Sequence, residues 1–222
     1  MLYTIFGYRK RSLLGDKAPG TKKVIFGKVP IRDMRDGSDI DLSGSHEVNQ
    51  GKVGACACAT LAGLVQDAAV QITRDKTLEI NWKEAWEIMK KMGLADDKKG
   101  SYLSDNLWFF QNIGFKDNKG NIWKPDKIQK ISRSKIVEYI RMGYQVYTGA
   151  NVGRPMCTRD WVFRTGYRKY GHSFRCIGLR NGYILEETTW LNYGLKKESQ
   201  FFYDKNEVRR LFTPYVMTVK IV

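Results

Sequence analysis

Asn49-Gln50-Gly51-Lys52-Val53-Gly54-Ala55-Cys56 is the stretch on which the fold turns. Its glycines mark a tight connection. Beyond Cys56 the apolar residues Leu61, Leu64, Val65, Ala68, Ala69 and Ile72 recur at three- and four-residue spacing. That period predicts a helix from Cys56 to about Arg74 with one buried face. A thiol in the first turn of a helix feels the positive end of the macrodipole, which favours the thiolate. Gln50 stands where its side-chain N–H reaches a developing oxyanion, with the Cys56 backbone N–H as a second donor. Far downstream, Gly171-His172 opens an apolar strand, and His172 is one of only two histidines.

Composition narrows the classes. The chain has 222 residues, 42% of them hydrophobic and 13% aromatic, with six tryptophans, enough for a real core and too apolar for a disordered chain. No unbroken apolar run reaches the length of a membrane span, and the N-terminus lacks the pattern of a secretory signal. Nor does an inhibitory pro-segment of any length stand out. Lys and Arg number 38 against 23 acidic residues, a net charge of +15. Such an excess suits nucleic acid or an acidic partner, and equally a solvated basic surface. The richest basic segment carries Arg154, Arg159, Arg164, Arg168 and Lys169 among Trp161, Phe163, Tyr167 and Tyr170. Basic residues mixed with stacking aromatics fit a single strand or a phosphate backbone, and an amphipathic surface loop as well.

Four cysteines, Cys56, Cys58, Cys157 and Cys176, are too few for a disulfide framework, and no Cys-x-x-Cys is present to hold zinc. No metal and no cofactor is expected. His46 has no motif around it.

The organisation reads as α+β. Residues 1–48 form an arm rich in turn residues. Residues 49–143 form a helical half, with further helices over Asn81 to Met92, Leu103 to Ile113 and Ser134 to Met142, stopped by Gly93, Gly114 and Gly143. Residues 144–222 form a β-rich half. Strands are expected over Tyr144–Thr148, His172–Leu179, Tyr183–Thr189 and Met217–Val222, with Asn181-Gly182 as a hairpin turn.

The segment around Cys56 resembles the active-site stretch of papain-like cysteine peptidases. Gln50-Gly51 and Gly54-Ala55-Cys56 follow that family's pattern, with Val53 in place of a first cysteine and Ala57 in place of an aromatic. Gly171-His172-Ser173-Phe174, with Gly178 after it, resembles the family's histidine strand. Tyr183-Ile184-Leu185-Glu186-Glu187-Thr188-Thr189-Trp190 stands where the family has Tyr-Ile-Leu and then Asn-Ser-Trp-Gly. The resemblance implies a single papain-like domain over 1–222: a helical half packed on an antiparallel sheet, the site in the cleft between them. It implies Cys56 as nucleophile, His172 as base, the two as a thiolate–imidazolium pair, and Gln50 as oxyanion donor. Thr188 stands at the third triad position, where the family has asparagine, and Trp190 shields the His172 partner. Gly100 and Ser101 would line the peptide substrate, more loosely. Loss of the aromatic at Ala57 widens the site or alters its leaving-group side. The absent disulfide cysteine implies a reducing, cytoplasmic compartment. Compact relatives without a pro-segment or that disulfide extend the expectation to a bacterial, phage or virion-associated setting.

The expected activity is hydrolysis of an amide through an acyl-thioester on Cys56. The alternative is an inactive or weakly active papain-like module with a structural or binding role, for nucleic acid or in a virion. Thr188 carries a register condition. A two-residue turn at Asn181-Gly182 with no bulge would set Thr188 opposite Arg175, away from His172. For Thr188 to share the face of His172, the loop must have an odd residue count or a bulge must shift the register; we expect the former, with Gly182 in the left-handed position of a three-residue loop. Failing that, Glu187 is the better partner for the histidine.

Overall fold

The computed structural model describes residues 39–44, 48–157, 160–166, 171–189 and 200–222, with the backbone alone at 153–156. Most of the expected arm, His46, Trp190, Arg159, Arg168, Lys169 and the Arg154 side chain therefore lie outside the described residues.

Helix α1 runs Cys56–Thr73, α2 Trp82–Lys91 and α3 Leu103–Asn112. A 3₁₀ turn over Arg133–Lys135 leads into the short α4, Ile136–Arg141, so the helix expected over Ser134–Met142 is split in two. The start of α2 is written in its cap: Asn81 Oδ1 accepts from the Glu84 N–H at 3.2 Å, a bond of about 1 kcal/mol. The capping box is not closed in the usual way. The Asn81 N–H goes to the Lys116 carbonyl, and Glu84 takes the Asn81 side-chain amide at 3.0 Å. Gly93, Gly114 and Gly143 follow the helices in the left-handed conformation expected of stop signals.

Strands are β1 Ile40–Asp41, β2 Phe115–Lys116, β3 Ile122–Lys130, β4 Val146–Cys157, β5 Phe163–Thr165, β6 Gly171–Arg180, β7 Tyr183–Glu187, β8 Gln200–Tyr203 and β9 Tyr215–Ile221. They form one antiparallel sheet in the order β2-β3-β9-β4-β6-β7-β8, with β1 added on β6 and β5 on β4. The helices come first along the chain and pack on this largely C-terminal sheet, the α+β arrangement expected. β2 and β3 fall before residue 143 yet join the same sheet through β9.

Two buried clusters result. The larger joins Leu61, Leu64 and Val65 of α1 to Trp86, Phe109, Phe110, Trp123 and Tyr147. The second lies on the other side of β6 and gathers Ile136, Ile140, Val146, Phe174, Cys176, Ile184, Phe201 and Tyr203. Each fully buried large side chain in them contributes about 1.5–3 kcal/mol of transfer free energy. Helix α1 differs from the one-faced helix expected: from Ala57 to Asp67 it is buried all round, because helices and sheet enclose it together. By length and composition it is apolar enough to cross a membrane, but two thirds of it is buried inside this fold, as in a core helix.

The hairpin between β6 and β7 corrects the expected loop. Arg180 pairs with Tyr183, so Asn181 and Gly182 form a two-residue turn, both with positive φ (52° and 78°). The register shifts elsewhere, at a β-bulge between Cys176 and Gly178 that leaves Ile177 as the extra residue. Arg175 then faces Glu187. Carried one residue further, the alternation sets Thr188 on the face of Phe174 and His172. Of the two routes to that register, the chain takes the bulge and not the three-residue loop.

Candidate active site

Cys56 is the first residue of α1, and the residue before it, Ala55, makes no side-chain capping bond. No acidic side chain lies in the first turn. The N–H groups that a helix start leaves unpaired are therefore available to the thiol. The Cys56 sulfur is approached by the N–H groups of Cys56 and Ala57 and, from the sheet, by that of Ser173. Two side chains moor this end of α1 to the sheet. Thr60 Oγ1 donates to the Ser173 carbonyl at 3.1 Å, and the buried Tyr147 hydroxyl to the Ala57 carbonyl at 3.0 Å. Ser173 directly follows His172, so the bonds that dock the helix bring the strand of the imidazole to the thiol.

Burial works against the expected ion pair. Burial pushes the Cys56 thiol up, against the three N–H groups that pull it down. Burial also drives His172 down to about 3. Burial disfavours the charged form of each group.

Gln50 is held at three points. Its backbone N–H donates to the Thr189 carbonyl at 3.1 Å, its Oε1 accepts from the Thr189 hydroxyl, and its Nε2 donates to the Val53 carbonyl at 2.8 Å. One Nε2 hydrogen is thereby engaged and the second remains for a ligand. Glu187, the fallback partner for His172, is committed instead to Arg175.

The glycine expected to hold substrate is near the thiol but occupied. Gly100 packs so closely on Gly54 that a Cβ on Gly54 would lie 3.0 Å from its backbone. Its N–H and C=O bond Asp96 at 2.8 and 3.0 Å, so the Gly100 backbone is not open for an extended peptide here. Ser101 Oγ accepts from Asn106 Nδ2 at 2.8 Å. Ala57 is buried, so exchange of the family's aromatic does not open the site at that point as expected.

Sequence reasoning overlooked four neighbours. Ser173 acts through its backbone, which leaves no trace in the residue type. Thr189 was read only as the end of a strand. Tyr147 read as an ordinary strand aromatic. Phe212, half buried, lays its ring over β4 and β6: Cβ atoms on Gly149 and Gly171 would meet it at 3.1 and 2.9 Å. Two glycines flanking a histidine strand are the signal that would have found it.

A cavity of about 90 Å³ lies near the other end of α1, lined by Leu64, Asp67, Gln71, Met142, Tyr144 and Met217 among others, and none of the expected site residues lines it. Among the described residues no cluster of His, Cys, Asp and Glu is placed to hold a metal ion. No two of the four cysteines are joined in a disulfide. Of the basic segment, Arg164 is described with its side chain, exposed on β5.

This is a papain-like fold. Solved cysteine proteases superpose on it. Xylellain, from Xylella fastidiosa, is 12% identical with a TM-score of 0.68, covering 81% of this chain and 85% of its own. The Carica candamarcensis protease CMS1MS2, solved in complex with E-64, is 15% identical with a TM-score of 0.64 over 81% and 97%. The cysteine protease and lectin-like domains of Cwp84, from Clostridium difficile, give 14% and 0.66 over 81% of this chain and 50% of that one. No protein-family model and no curated protein sequence matches the chain.

Proposed function

We propose that this chain is a cysteine peptidase. The observation that carries the reading is the Cys56 sulfur at an uncapped helix start, approached by three backbone N–H groups, one of them from the residue after His172. Such donors stabilise a thiolate as it forms and the negative charge that follows it. Cys56 attacks the carbonyl carbon of an amide while His172 takes the thiol proton. The oxyanion is held by the second Gln50 Nε2 hydrogen and the Cys56 N–H. His172 then protonates the departing amine, leaving a thioester on Cys56. Water, deprotonated by His172, hydrolyses it and restores the thiol. The substrate class is a peptide or an unfolded protein segment, as the cysteine protease neighbours suggest.

The test is hydrolysis of a fluorogenic peptide library, with E-64, the compound bound in the Carica structure, as a label read by intact mass. Wild type is expected to turn over at least one peptide and take up one E-64 on Cys56. Cys56→Ala and His172→Ala each lose at least a thousandfold in kcat/KM. Absence of both turnover and labelling would leave an inert binding module and overturn the proposal.

The pH profile sharpens the same test. With His172 held down to about 3, the base stays neutral until the pH falls to that region, so the acid limb of kcat/KM is expected near pH 3 and not near 6.5. Linkage acts in the same direction. The unfolded chain binds the proton that buried His172 refuses, so the stability contributed above pH 6.5 is lost as pH falls towards 3. Initial rates are therefore read beside intrinsic fluorescence, which separates loss of the base from loss of the fold.

A further inference from the structure

Arg175 lies on β6 close after His172, yet its guanidinium is almost wholly buried. Nη1 donates to Asp67 Oδ2 of α1 at 2.7 Å and to Gln145 Oε1 at 3.2 Å. Nε donates to Glu187 Oε1 of β7 at 3.1 Å, and Nη2 bonds the same oxygen. Gln145 Nε2 closes the circuit, donating to Asp67 Oδ2 and to the Leu42 carbonyl, each at 2.7 Å. Gly63 makes room in α1: a Cβ there would stand 3.3 Å from Nη1. A mid-helix glycine costs about 1 kcal/mol against alanine. One side chain thus joins the helix of Cys56, the strand of His172 and the strand that leads to Thr188 and Thr189.

The register of β7 needs such a device, because its side-chain pattern does not choose one. From Ile184 to Glu187 every residue is buried, on both faces, and the last two are both glutamates. Without the bulge, Glu186 would move to the Arg175 face, Glu187 would turn to face Cys176, and Thr188 would stand opposite Arg175. Thr189 would exchange faces with it and leave Gln50. Hydrophobic burial is nearly indifferent to this slip. What distinguishes the two registers is the pairing of Arg175 with Glu187, together with the Ile177 carbonyl, which accepts from the Leu42 N–H at 2.6 Å.

We propose that Arg175 is a positioning residue: its bonds to Glu187 and Asp67 lock the one-residue bulge at Ile177, and that register delivers Thr188 to the His172 face and Thr189 to Gln50. The role in turnover rests on the peptidase reading above; the role in register does not.

Two variants test it. Arg175→Lys keeps the charge and loses the planar fork. The triple variant Asp67→Leu, Arg175→Met, Glu187→Met replaces the buried ions with apolar side chains of similar volume, an exchange that commonly preserves or raises stability. Each is read twice, by cross-strand NOEs in labelled protein and by kcat and KM on the best peptide. Pairing of residue 175 with 187 is the native register, and pairing with 188 the slipped one. The expected result in the folded triple variant is a population with 175 against 188, and a fall in kcat of tenfold or more with KM within twofold. Arg175→Lys is expected to do the same more weakly. Native register throughout in both variants overturns the proposal. If wild type hydrolyses no peptide, the peptidase reading has failed, and the NOEs alone still decide whether Arg175 locks the bulge.

Discussion

Strand β7 carries two adjacent buried carboxyls, and its two faces treat them differently. Glu187 points towards α1, where it is held by Arg175 in a circuit with Asp67 and Gln145. Glu186 points the other way, opposite Cys176 and beside Tyr203, wholly buried, and neither of its oxygens has a hydrogen-bond partner among the described residues. Burial pushes its carboxyl well above the ordinary range, so it stays protonated where a surface glutamate would not. The lesson is that one strand separates a polar, ordered face, which carries the Arg175 network, from a face that tolerates a carboxyl only without its charge. The unpaired Glu186 is the cost of the pattern that leaves β7 two glutamates from which to choose.

The largest expected effect breaks the polar face. Arg175→Met leaves Asp67 and Glu187 as two buried carboxylates with no counter-charge, and should lower the unfolding free energy in urea by about 3–5 kcal/mol. A loss below about 1 kcal/mol would mean that water already enters the network. The next relieves the apolar face. Glu186→Met removes a buried polar group without a partner and should stabilise by about 1–3 kcal/mol. The sign with pH follows from the raised carboxyl. Between the ordinary glutamate value of 4.5 and its higher folded value the native state binds more protons than the unfolded one. Wild type therefore loses stability as pH rises above 4.5, and the advantage of Glu186→Met grows from pH 5 to pH 8. A constant advantage would place a partner on Glu186. The smallest effect concerns the end of the same strand. Thr188→Ala should cost less than tenfold in kcat, about 1 kcal/mol, with KM unchanged. Its excess over zero measures how much of the proposed register effect passes through Thr188 and how much through Thr189 and Gln50.

Much of the architecture was legible because it rests on local chemistry. The start of α1 at Cys56, the glycine stops at Gly93, Gly114 and Gly143, and the Asn181-Gly182 turn are each dictated by residues within a few positions. β3 was not legible: Lys124, Pro125, Lys127 and Lys130 break any alternation, and a register shift around Asp126 breaks the ladder. The bulge at Ile177 leaves no mark in residue type, since an extra isoleucine in an apolar strand looks like the strand itself. Gly178 is its one visible trace. A Cβ there would overlap the Ile40 carbonyl oxygen, so glycine is what lets β1 approach. In the site, the candidate side chains and the Cys56 N–H were readable, and the N–H groups of Ala57 and Ser173 were not. Asp67 in an apolar helix and Arg175 in an apolar strand stood in view as anomalies. Only the fold shows that each explains the other.

The mooring of α1 on β6 also sets an order of events. The Thr60 hydroxyl and the Ser173 carbonyl are 113 residues apart in sequence, and Thr189 and Gln50 are 139 apart. Contacts of such separation close large loops and form late, after local helices and hairpins have condensed. A chain growing from its N-terminus thus displays Cys56 long before it has made either the Ser173 N–H that approaches the sulfur or the proposed base, His172. On the peptidase reading, reactivity would then be the last property the molecule acquires as it folds, and an incomplete chain would hold its thiol in latency.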